Sequence, residues 1–121
     1  LEQGGELFGK ALENWICHEL TAWIHYSENF LDLSFWRLGS GQEVDFVLGE
    51  AQVAIEVKAA TRVDHHDLKG LRQFLAEYPE VERRLLVSLD PIVRTTDDGV
   101  EMLPVSRFMA KLWTGELLHT A

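Results

Sequence analysis

Asp45, Glu56 and Lys58 are the residues whose types and spacing could do chemistry in this chain. They punctuate the stretch from Gly41 to Lys58, in which Val44, Phe46 and Leu48, then Val53, Ile55 and Val57, alternate with polar positions. Alternation on both sides of a short interruption predicts two half-buried strands joined by a turn at Gly49-Glu50-Ala51-Gln52. A turn of that length sets Asp45 directly opposite Glu56, with Cβ atoms roughly 5 Å apart, where like charges destabilise a sheet. A divalent cation removes that cost, because two carboxylates offer the hard oxygen ligands that Mg2+ and Mn2+ prefer. Lys58, two residues beyond Glu56, shares its face and adds a fixed positive charge. The same residues also fit the solvated face of an ordinary hairpin, with Glu56 and Lys58 as a weak surface pair.

The elements that must position these residues follow from hydrophobic periodicity. Glu6 to Tyr26 reads as a first helix, with Leu7, Leu12, Trp15, Ile16, Leu20, Trp23 and Ile24 at helical spacing and Glu13 off the centre of that stripe. His18 and His25 stand two turns apart, too far to share an ion, and Cys17 reads as a small packing residue. Leu31 to Leu38 is aromatic-rich and reads as a first strand, turned by Gly39-Ser40-Gly41 into the strand of Asp45. After Lys58, Asp64 or Asp67 can cap a second helix from about His66 to Tyr78, packed through Leu68, Leu71, Phe74 and Leu75 and ended by Pro79. Arg84 to Leu89 is a nearly continuous apolar run, the pattern of a strand covered on both faces. Asp97-Asp98-Gly99 marks a turn, Val100 to Leu103 a short edge strand, and Val105 to Leu118 a final amphipathic helix after Pro104.

An Asp on one strand followed by Glu-x-Lys on the next resembles the active-site signature of the PD-(D/E)xK nuclease-like superfamily, with Val44 where that name has a proline. Further words strengthen the likeness: Leu7-Phe8-Gly9, Leu12-Glu13-Asn14-Trp15, Glu19-Leu20, Phe35-Trp36-Arg37, Gly41-Gln42-Glu43-Val44-Asp45-Phe46-Val47 and Asp67-Leu68-Lys69-Gly70-Leu71. Together they resemble the carboxy-terminal domain that follows an AAA-type ATPase module in many bacterial and archaeal proteins, up to about Leu89. The resemblance implies a restriction-endonuclease-like αβββαβ core, a mixed sheet flanked by helices, followed here by the C-terminal helix. It implies a Mg2+- or Mn2+-dependent nuclease acting on DNA, with Asp45, Glu56 and the carbonyl of Val57 as metal ligands. Glu13 would ligate the ion directly or through water, and Lys58 would orient the attacking water or stabilise the developing charge electrostatically. Glu43 and Gln73 are accessory candidates, and Arg62, Lys69 and Arg72 would line the substrate approach. The chain is then a single domain, 1–121, excised from a larger protein, with its own N-terminal ATPase module or a second copy as partner.

Composition bounds these readings. A single cysteine excludes an internal disulfide and a cysteine-based zinc site. Neither a membrane span nor a signal peptide is visible, so a cytoplasmic domain is expected. The net charge of −9 argues against a simple nucleic-acid binder, since phosphate contacts need basic side chains. It also leaves room for the rival class, a nuclease-fold module without catalysis that docks to the ATPase part or self-associates, for which four tryptophans could supply the contact. A sugar or peptide hydrolase using Asp45 and Glu56 as acid and base lacks any recognisable substrate groove.

Overall fold

The computed structural model describes residues 6–28, 31–37 and 41–117. Helix α1 (Glu6–Ser27) leads into strands β1 (Leu33–Arg37), β2 (Glu43–Leu48) and β3 (Val53–Lys58). A 3-10 turn (His65–Leu68) and helix α2 (Lys69–Glu77) follow, then β4 (Arg83–Ser88), β5 (Arg94–Thr95), β6 (Val100–Pro104) and α3 (Val105–Trp113). The parts of the expected elements at Leu38, Gly39, Ser40 and Leu118 lie outside the described residues.

The strands form one mixed sheet in the order β1-β2-β3-β4-β6-β5. β1, β2 and β3 run antiparallel in succession, while β4 lies parallel to β3 and β6 parallel to β4. Each parallel pair needs a crossover, and α2 supplies the one between β3 and β4. Helices cover both faces. On one side Leu12, Ile16 and Leu20 of α1 and Phe108 and Leu112 of α3 pack on Phe46, Leu48, Ile55, Leu85 and Val87. On the other, Leu71 and Phe74 of α2 pack with Trp36, Val44, Val47, Ala54, Leu86 and Met102. No described helix is long and apolar enough to cross a membrane.

Four expectations change. β2 and β3 are not half-buried: both faces are covered, because α1 and α3 pack on one side and α2 on the other. Val44 does not share a face with Phe46, for a bulge in β2 turns it toward α2. The second helix begins as a 3-10 turn at His65, and the α-helix proper starts at Lys69. Its entrance is a reciprocal cap, in which Asp64 accepts from the His66 N–H at 2.9 Å while Asp67 accepts from the Asp64 N–H at 3.1 Å. Lastly, β6 is an interior strand and the two-residue β5 takes the edge. The reason is burial, since Val100 and Met102 face the α2 side and Leu103 the α1 side.

Candidate functional site

Pairing between β2 and β3 runs Leu48 with Val53, Val47 with Ala54 and Phe46 with Ile55, and stops there. β3 continues alongside β4 as far as Lys58 opposite Ser88. The two strands therefore fork, and one further step of the same register sets Asp45 opposite Glu56 at the mouth of the fork. The cause lies on the other side of β2. Ser34 pairs with Val47 and Trp36 with Val44, so Phe35 alone faces both Asp45 and Phe46. That extra residue is a β-bulge, a device that ends regular pairing and re-aims a side chain. Where the ladder has ended, the Val57 N–H donates instead to Asp45 Oδ2 at 2.8 Å. The Asp45 carboxyl is thus fixed by the backbone of the strand that carries Glu56.

Glu56 is buried, 6% exposed, which disposes of the solvated-face reading for this residue. Its cover is the first turn of α2. A Cβ added at Gly70 would stand 2.2 Å from the Glu43 carbonyl oxygen and 3.2 Å from Glu56 Oε2, so only a glycine lets the helix come this close. Burial, a hydrogen bond to the Asp45 carboxyl and the charge of Asp45 together push Glu56 far above the usual carboxylate range, to about 10. The positive charge of Lys58 acts in the opposite direction, placing its ammonium in electrostatic reach of the pair. Glu13, half-buried on α1, is also raised, by burial first and then by Asp45, with Lys10 opposing and Glu43 adding. Acids from α1, β2 and β3 therefore share one electrostatic neighbourhood, although among the described residues no three of them converge into a ready metal cage.

The remaining candidates divide. Glu43 is exposed and pairs with Arg37 at 3.2 Å, so it lends the site charge and its carboxylate is engaged outside the pair. Gln73 is exposed one turn beyond Gly70 on α2 and has no hydrogen-bond partner among the described residues. Arg62 and Lys69 are exposed. Arg72 pairs with Asp98 at 3.1 Å in the turn before β6, so its charge is spent there and not at the approach to Asp45.

Periodicity missed two buried polar residues and one indole hydrogen bond that organise the scaffold. Arg84, read as the start of an apolar run, is 5% exposed, and its guanidinium donates to the carbonyls of Leu71 and Asp98. Asp90, read only as a strand stop, is buried, accepts from the Ile92 N–H at 3.0 Å and pairs with Arg94 at 3.0 Å. Trp36 donates its indole N–H to Glu77 at 3.0 Å. The one local hint was Asp90 with Arg94 four residues on; the other partners lie far apart in the chain. No curated protein and no solved structure matches the chain. The model of the family described as a domain of unknown function (DUF4143) matches residues 8–108, most of the chain, and the protein belongs to that family.

Proposed function

We propose that this is a restriction-endonuclease-like domain of the PD-(D/E)xK type that hydrolyses phosphodiester bonds in DNA, using Mg2+ or Mn2+ held by Asp45, Glu56 and the Val57 carbonyl. The observation that carries the reading is the meeting of Asp45 and Glu56 at the mouth of the β2–β3 fork, with Lys58 beside them. The order of α1, three antiparallel strands, α2 and the parallel β4 agrees with it. Two apposed carboxyl groups, one of them buried, form a donor set of the hardness such an ion takes. Bound there, the ion would neutralise phosphate charge and lower the pKa of a water.

The chain's own residues would do the rest. Asp45, tethered by the Val57 amide, holds one oxygen in a fixed place. Glu56 would have to give its proton up to solvent before its carboxylate could serve as a ligand, a loss that the charge of Lys58 favours. Lys58 then offers its ammonium to the negative charge that grows on the phosphate oxygens in the transition state. Glu13 supports the site from α1, directly or through water. Arg62 and Lys69 give the approach its exposed positive charge. With a net charge of −9, the domain would rely on the ion and on an attached AAA-type ATPase module to bring DNA in.

One observation favours a second reading, a docking module. Trp15 is 47% exposed and Trp113 42%, as an interface would leave them in the isolated domain. Calorimetric titration with Mg2+ and Mn2+ of wild type and Asp45→Ala separates the two. The nuclease reading expects saturable binding that the substitution abolishes, followed by cleavage of single-stranded, duplex or branched DNA. Absence of binding in a folded wild type would overturn it and leave the docking module.

A further inference from the structure

At the end of β2 and β3 remote from the fork lies a groove of about 500 Å3, between β1, the β2–β3 turn, the end of α2 and the loop into β4. Its wall is aromatic. Trp36 meets Phe74 edge to face at 5.5 Å, and Phe74 meets Tyr78 at 4.8 Å. Its rim is acidic, formed by Glu50, Glu80 and Glu82, and among the described residues no Lys, Arg or His lines it. The cations nearest in sequence are already taken: Arg37 pairs with Glu43 at 3.2 Å and Arg83 with Glu101 at 2.6 Å. Glu50, Glu80 and Glu82 have no ion-pair partner among the described residues. Beside the groove runs β1, which among the described residues pairs only with β2 and stands at the edge of the sheet with Phe35 exposed.

We propose that this groove and the open edge of β1 receive an extended, basic peptide segment of a partner protein. An unpaired strand edge offers a row of backbone donors and acceptors, and an added strand satisfies them. Alternate side chains of that strand fall toward the groove, where Lys or Arg meets the three free carboxylates and the faces of Tyr78 and Trp36. A small free cation would use the acids and leave the strand edge unused, whereas an extended peptide uses both. The site is separate from the Asp45–Glu56 pair and holds whether or not the domain is a nuclease.

The test is fluorescence anisotropy on the intact chain, with a short labelled peptide alternating Lys and Val as probe. Saturable binding is expected, with Glu80→Gln/Glu82→Gln weakening it by about tenfold. The control Glu19→Gln/Asp97→Asn, which removes the same charge elsewhere, should leave affinity within about twofold. A version of the peptide with every backbone nitrogen methylated keeps its charge but has no backbone donor with which to pair along a strand, and it should fail to bind. Equal losses in the two double variants would mean general attraction to an acidic protein and would overturn the proposal. So would undiminished binding of the methylated peptide, or spermidine competing as effectively as the unlabelled peptide, which would make the groove a small-cation pocket.

Discussion

Glu56 occupies a place where a carboxyl group prefers to keep its proton. Its folded pKa lies far above the ordinary carboxylate value, so the stability it contributes is complete below about 4.5 and is lost as pH rises toward about 10. Glu13, also raised, adds to the loss with the same sign. Wild-type stability should therefore fall between about pH 5 and pH 9, with a slope of at most about 1.4 kcal/mol per pH unit from Glu56. Glu56→Gln keeps the shape and removes the titration. Urea denaturation across that range should show a flatter profile for the variant and, at pH 8, a more stable protein. An unchanged profile would mean that Glu56 is not a buried acid with a raised pKa. The opposition of Asp45 and Glu56 was legible in the sequence because a four-residue turn fixes it locally. The burial of Glu56 was not, because its cover arrives with Gly70 of a later helix.

Helix α2 depends on that glycine to reach the sheet. A methyl group at residue 70 meets the backbone carbonyl of Glu43, an atom with no rotamer to escape into, before it meets the more yielding Glu56 side chain. Gly70→Ala should therefore destabilise the fold by about 1–3 kcal/mol, although alanine is the better helix former. Denaturant midpoints check this, and a stabilised Gly70→Ala would show that α2 does not sit this close. The existence of α2 was readable from its Leu68, Leu71 and Phe74 spacing and its Asp64 cap. The bulge of β2 was not, because simple alternation at Val44 and Phe46 implies a regular strand. It arises from the mismatch between β1 and β2, which depends on both partners.

Across the molecule, Arg84 connects pieces far apart in sequence. From the middle of the sheet it donates to the Leu71 carbonyl of α2 and to the Asp98 carbonyl in the turn before β6. Its side chain also lies 3.7 Å from the Asp98 carboxylate. Arg84→Ala leaves those groups without their buried donor and should cost about 2 kcal/mol. Hydrogen exchange should show the β5–β6 ribbon losing protection more than β1 and β2 do. Equal loss everywhere would mean that Arg84 stabilises the core without holding the ribbon.

Hydrophobic period, turn residues and one capping aspartate were sufficient to place α1, β2, β3, α2, β4 and α3, and to set Asp45 against Glu56. Each of these rests on interactions among residues a few positions apart, which a linear pattern records directly. The order of β4, β6 and β5, the bulge that opens the β2–β3 fork, the burial of Glu56 and the partners of Arg84 arise otherwise. They depend on which surfaces meet once the chain has closed on itself. Parallel pairing of β4 with β6 is chosen by two faces that must both be buried, and the proton on Glu56 is kept by a helix some fourteen residues away, measured from Glu56 to Gly70. Long-range packing of this kind leaves no periodic trace in the segments it joins.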